Sequence, residues 1–166
     1  MPLMAVYLVA FAASCVLLAS CYSFTGASVP DHIKTIYITP VGDNSGNGNP
    51  KYSQSLSLLL TEKFERENAL TVGDATSNAK LMVTIVSIKD ETISVKPGEL
   101  ESQRKVTVTC SAEYYDAVKK KQFWNKSFTQ FDVYDIANMK TGLDAAVDNS
   151  IKQIADDIVL AVVSGW

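Results

Sequence analysis

The residues best able to do chemistry in this chain are its cysteines, and Cys21 stands in the most informative context. It closes the tetrapeptide Leu18-Ala19-Ser20-Cys21, at the end of an apolar run from Met4 to Ser20 that carries no charged side chain. An apolar run ending in small residues has the form of a secretory signal peptide. At about 17 residues the run sits at the lower limit for crossing a bilayer. An aliphatic residue, two small residues and a cysteine make the bacterial lipobox pattern. The small residues let a peptidase approach the backbone, and the thiol accepts a thioether-linked diacylglycerol. The expectation is cleavage between Ser20 and Cys21 and lipidation of Cys21. A membrane span is disfavoured because polar Ser23 and Thr25 follow without a basic stop-transfer cluster. The run lacks the Lys or Arg that usually opens a signal peptide, so only the terminal amine is positive. Cys15 is a poorer acceptor, because Ala12 stands where the aliphatic residue belongs. Cys110 is then alone in the mature chain, with no intramolecular disulfide available, and is expected to be buried and inert.

The remaining reactive side chains make no catalytic set. His32 is the single histidine and lies beside Pro30 and Asp31, where a surface residue is expected rather than a catalyst. No serine or cysteine has a sequence-local base, and no glycine-rich phosphate motif follows a strand. Asp156-Asp157 falls on the polar side of a helix and Glu99/Glu101 in a loop; both read as solvated charges rather than acid–base pairs. No His, Cys and carboxylate group has metal-ligand spacing, so neither metal nor cofactor is expected. The densest basic cluster is Lys119-Lys120-Lys121, in a turn between two strands. It reads as a solvated hairpin tip or as a contact for anionic lipid head groups or sugar phosphates. Lys96, Arg104 and Lys105 form a second basic group towards the other end of the same strand. A strand of about 12 residues is ~40 Å long, so the two groups cannot line one small site.

The elements that carry these residues are legible from periodicity. Removing residues 1–20 leaves 146, enough for one domain, with 15 basic and 18 acidic side chains. A balance of −3 gives no reason to expect nucleic acid. Residues 21–31 form a short tether and 32–166 the domain. Ile33 to Thr39 reads as a strand, ended by Pro40, and the turn formers from Gly42 to Pro50 as a loop. Tyr52 to Asn68 reads as a helix with Leu56, Leu59, Leu60 and Phe64 on one face and Ser53 or Ser55 as cap. Leu81 to Ile88 is apolar on both faces and reads as a strand buried on both sides or nearly so. Asp90 to Ser102 is a polar connection.

Arg104 to Asp116 alternates cleanly. Val106, Val108, Cys110, Ala112 and Tyr114 point one way, while Lys105, Thr107, Thr109, Ser111, Glu113 and Tyr115 point the other. Gln122 to Tyr134 returns as the second arm of a hairpin, with a slip near Phe128 that suggests a bulge. Thr141 to Val163 reads as a helix with an apolar stripe of Leu143, Val147, Ile151, Ile154, Ile158 and Val162, opened by a capping box of Thr141 with Asp144. The expected fold is α+β: a two-layer sandwich in the order β-α-β-β-β-α, with two helices on one face of a four-stranded sheet. The hydroxyl-rich face of Thr107, Thr109, Ser111 and Glu113 reads either as plain solvent exposure or as a surface buried against another protein's polar interior.

The stretch from Cys21 through Tyr22-Ser23-Phe24-Thr25-Gly26 to Pro30, followed by Ile33-Lys34-Thr35-Ile36, resembles the start of the mature lipopolysaccharide-assembly lipoproteins (LptE) of Bacteroidetes. The element order, Thr107-Val108-Thr109, Phe128-Thr129-Gln130-Phe131 and the closing Trp166 are similar to that family's as well. The resemblance implies a non-enzymatic role. It implies a lipoprotein that plugs a large LptD-like outer-membrane β-barrel, assists its assembly and contacts lipopolysaccharide. Candidate lipopolysaccharide contacts are Lys119, Lys120, Lys121, Lys96, Arg104 and Lys105. Tyr22, rather than an Asp, follows the lipidated cysteine, so outer-membrane residence is expected, with the domain in the periplasm or the barrel lumen. The alternatives are a non-catalytic scaffold of another cell-envelope complex and an enzyme using carboxylates in a cleft.

Overall fold

The computed structural model describes residues 29–67, 70–93 and 103–164. Ser20, Cys21, Lys96, Glu99, Glu101 and Trp166 lie outside the described residues, and so does most of the tether.

Alternation in the sequence becomes a two-faced strand. In β5 (Gln103–Asp116) every even residue from Val106 to Asp116 is buried, and every odd residue from Lys105 to Tyr115 is half-buried. β4 (Ala79–Thr92) and β6 (Lys121–Asp135) flank it, both antiparallel. β1 (Thr35–Ile38) runs parallel to β4 and takes the two-residue β3 (Thr71–Val72) on its other side. β2 (Gly42–Asp43) continues along the edge of β4 at Thr84 and Ile85. The sheet therefore has six strands in the order β3-β1-β4-β5-β6, with β2 also on β4, rather than the four expected. The two additional strands are too short for alternation to register. They exist through backbone bonds such as Asn44 N–H to Ile85 O at 2.8 Å and Gly73 N–H to Ile36 O at 2.9 Å.

Three strand details correct the expectation. β4 runs on through Asp90–Thr92, where the polarity of the residues predicts a connection. β4 is buried on one side only: Met82 is 37% and Val86 46% exposed. Both faces carry apolar side chains, yet only one face is covered by helices. Val86 also sits at an irregularity between Ile85 and Ser87. The irregularity in the β5–β6 hairpin lies at Phe123, beside Tyr114 and Tyr115, and not near Phe128. From Trp124 to Asp135 the register is unbroken. The apparent slip arose because Phe131 and Val133 are apolar residues on the uncovered face.

The helices lie together on the other face. α1 (Pro50–Glu67) starts two residues earlier than expected. Pro50 is preset for the first turn, and Asn49 Oδ1, rather than Ser53 or Ser55, accepts the Lys51 N–H at 3.1 Å. α2 (Met139–Ser164) follows a 3₁₀ turn at Ile136–Asn138, and Asp135 caps that turn by accepting from Ala137 N–H at 2.8 Å. The expected Thr141–Asp144 box is not the start. Asp144 instead accepts from the Tyr52 hydroxyl at 2.7 Å and ties α2 to α1. Burial, with that bond second, pushes the Tyr52 hydroxyl up to about 12. Gly142 lets α2 approach β6, since a Cβ there would stand 3.0 Å from the Tyr134 ring.

The predicted stripe forms the core. Val147, Ile151, Ile154, Ile158 and Val162 are fully buried, together with Val106, Val108, Cys110 and Ala112 of β5. Leu56, Leu60 and Phe64 of α1 complete it, while Leu59 and Leu143 are only partly buried. At ~25 cal/mol per Å² of apolar area, this one-sided burial is the main stabilising term.

Candidate functional site

The helix-free face of the sheet presents an ordered row of side chains. β5 supplies its centre with Lys105, Thr107, Thr109, Ser111, Glu113 and Tyr115, all half-buried by their cross-strand neighbours. The register sets Phe131 beside Thr107, Val133 beside Lys105 and Met82 beside Glu113. The Thr109 and Thr129 hydroxyls bond across the strands at 3.1 Å, and Lys105 Nζ stands 4.7 Å from the centre of the Phe131 ring. Phe131 is 55% exposed and Val133 38%. A row of hydroxyls is thus bordered by apolar side chains, on a face that no described element covers. The apolar border escaped the sequence reading. Counting one extra residue at Phe123 would have revealed it, because Phe131 and Val133 then share a parity with Thr107 and Lys105.

The basic candidates divide between the two ends of this face. Lys119, Lys120 and Lys121 are exposed at the β5–β6 turn. Arg104 and Lys105 lie at the other end, about 37 Å away for eleven residues of strand. These two neighbours point to opposite faces. Arg104 turns to the helix side, where its Nε donates to Asp90 Oδ1 at 2.9 Å and the Tyr134 hydroxyl donates to Asp90 Oδ2 at 2.8 Å. Its hydrogen bond to Asp90 holds the Arg104 pKa above its ordinary value. Lys105 turns to the open face.

The end that carries Lys119–Lys121 is tied to the start of the domain. His32 Nε2 lies 2.7 Å from Asp116 Oδ2, and Asp116 is 1% exposed. The other oxygen of Asp116 accepts the N–H groups of Val118 at 2.9 Å and Lys119 at 2.8 Å. Burial opposes ionisation of this carboxyl, but the Lys119 N–H, His32 and the Val118 N–H together hold its pKa below the ordinary value. His32 is therefore a half-buried structural partner rather than a free surface residue. Its partner lies 84 positions away, and no local signal announces it.

No catalytic constellation emerges among these groups. Asp156 and Asp157 diverge: Asp156 pairs with the buried Lys63 of α1, and Asp157 accepts from Gln130 Nε2 of β6 at 2.7 Å. Cys110 is fully buried, and burial pushes its thiol up to about 12, which keeps it neutral and unreactive. A surface depression of about 340 Å³ beside the β2–α1 loop has a single carboxylate, Asp43, and its Oδ1 accepts from Ser45. Among the described residues, no three His, Cys, Asp or Glu side chains are grouped to hold a metal ion.

Comparison with known proteins gives the fold its relatives. A protein of Xanthomonas campestris superposes with a TM-score of 0.56 at 13% identity, over 83% of this chain and 91% of that one. The rare lipoprotein B of Shewanella oneidensis gives 0.55 at 15%, over 77% and 92%. The PelC dodecamer of Paraburkholderia phytofirmans gives 0.50 at 12%, over 80% and 90%. At such identities the likeness is one of fold. No curated protein sequence matches the chain. The sequence model of the lipopolysaccharide-assembly family LptE, however, matches residues 33–162, from the first core isoleucine to the last core valine of α2. The chain belongs to the LptE family of lipopolysaccharide-assembly proteins.

Proposed function

We propose that the protein is an outer-membrane lipoprotein, acylated on Cys21, whose open sheet face docks inside a large LptD-like β-barrel, and that it works without catalysis. The observation that carries this reading is that face itself: half-buried hydroxyls of Thr107, Thr109 and Ser111 bordered by exposed Met82, Phe131 and Val133, with no described element over them. Large outer-membrane barrels have polar interiors that plugs can fill. Hydroxyls match such a wall without the desolvation cost of charges, and the apolar border adds burial. Family membership supports the same partner class. Within this reading Lys105, which lies on the open face at the end remote from the domain's start, is a lipopolysaccharide contact, with Arg104 as a structural strut that bonds Asp90 and keeps β4 and β5 together.

A photo-crosslinkable residue at Thr109 tests this in outer membranes. The expected product is a crosslink to one large barrel, which also co-purifies with the unmodified protein. A barrel that co-purifies but crosslinks only through the helix faces would overturn the docking face. Absence of any barrel from the purified material would overturn the partner and leave an envelope scaffold of another kind.

A further inference from the structure

We propose that the β5–β6 hairpin tip is a second membrane contact, which sets Val118 and Lys119-Lys120-Lys121 on the anionic phospholipid head groups of the leaflet that holds the anchor. The inference rests on acylation of Cys21. Three observations converge on it. The first is composition: Val118 is 56% exposed at the apex and is followed by three exposed lysines. An apolar side chain beside clustered cations suits an interface with an oily layer under charged head groups.

The second is rigidity. Asp116 fixes the N–H groups of Val118 and Lys119, Ala117 N–H donates to Asn78 O at 2.9 Å, and Lys120 takes the left-handed conformation that closes the turn, at φ 55°. A tip already held in one shape loses little backbone freedom on docking.

The third is position. Asn78 Oδ1 accepts from the N–H groups of Lys34 at 3.1 Å and Thr35 at 3.2 Å, and His32 bonds Asp116, so the tip and the domain's first residues share one end. Eight residue steps separate Cys21 from Val29, a span of at most roughly 30 Å. The opposite end of β5 lies a further ~45 Å away. The anchor therefore holds the tip end of the domain nearest the bilayer. The charge there has the required sign. Lys34, Lys119, Lys120 and Lys121 are exposed, against the exposed carboxylates Asp31 and Asp74, while Asp116 is buried against His32. Each lysine close to an anionic surface favours contact by roughly fivefold.

The test places an environment-sensitive fluorophore on Val118→Cys in the full protein as extracted from membranes; Cys110 is buried and stays unlabelled. The protein is reconstituted with vesicles of phosphatidylcholine alone or of phosphatidylcholine and phosphatidylglycerol in equal parts. Expected is a blue-shifted emission with the anionic vesicles only, reversed by high salt. It should also be lost when Lys119→Glu, Lys120→Glu and Lys121→Glu are combined, although that variant still floats with both vesicles. Equal emission in the two vesicles, or a shift that survives the triple reversal, overturns the proposal. So does a shift that appears only when lipopolysaccharide is added, which would make the tip a cargo site. Failure to float with phosphatidylcholine, together with lysine-dependent flotation on anionic vesicles, would overturn the anchor reading and leave the tip contact standing. Flotation on neither would overturn both.

Discussion

The two faces of β5 are made by the same fourteen residues on the same backbone, and they have opposite fates. The even residues disappear beneath Ile151, Ile154 and Ile158, and each buried methylene there contributes to folding. The odd residues remain at the surface, half-covered by their strand neighbours. The covered face thus accounts for the fold, and the open face is free of that requirement. Polar hydroxyls on an uncovered face cost nothing when the protein is alone, and they remain compatible with burial later. The exposed Phe131 and Met82 do carry a cost in water, which makes them the better marker of an interface.

Substitutions can break this contrast. The largest effect is expected at Ile154. Ile154→Asp should prevent folding, since a carboxylate would be buried without a partner. Ile154→Ala should cost ~2–5 kcal/mol in denaturant unfolding, and a loss under about half a kcal/mol would show that the stripe is not the core.

Asp116 is intermediate. It is an inward residue of the same strand but a charged one, and its bonds to two N–H groups and His32 make up for the burial. Asp116→Asn should cost about 1–3 kcal/mol at neutral pH. Because the folded-state pKa lies below the ordinary value, the carboxylate contributes stability above the unfolded pKa. That contribution is lost as pH falls below about 4 and through the folded value. Urea midpoints measured down the acid range should therefore drop more steeply for the wild type than for Asp116→Asn. Parallel curves would remove Asp116 from the ledger of acid sensitivity.

The smallest stability effect is expected on the open face. Thr109→Val should change unfolding free energy by less than about 0.5 kcal/mol, because it replaces a half-exposed hydroxyl whose bond to Thr129 is solvent-accessible. Its effect should appear in the yield of co-purified barrel. A large stability loss at Thr109 with no change in that yield would reverse the roles assigned to the two faces.

Much of this architecture was legible in the sequence because it depends on local repeats. The period-two run from Val106 to Tyr114 and the spacing from Val147 to Val162 each name a dry surface. Two dry surfaces of that size leave few arrangements other than helices on one side of a sheet. The sheet's width was not legible, because β2 and β3 have two residues each and no periodicity at that length. Nor was the one-sided burial of β4, since Met82 and Val86 are as apolar as Leu81 and Val83. A residue's hydropathy states what it would prefer to touch, while the number of layers decides which preferences are met. The same holds for the candidate site. Lys119–Lys121 and Lys105 were visible as charges. That Lys105 and Arg104 would part to opposite faces, and that the lysine tip would stand beside the start of the domain, depended on contacts between residues far apart in the chain. His32 and Asp116 meet because β1 and β5 converge on the start of β4, at Asn78 and Ala79. Local pattern thus determined the elements and their dry faces. The tertiary structure alone decided which ends adjoin and which face stays bare, because ion pairs and layer order are set by distances through space that no short-range periodicity encodes.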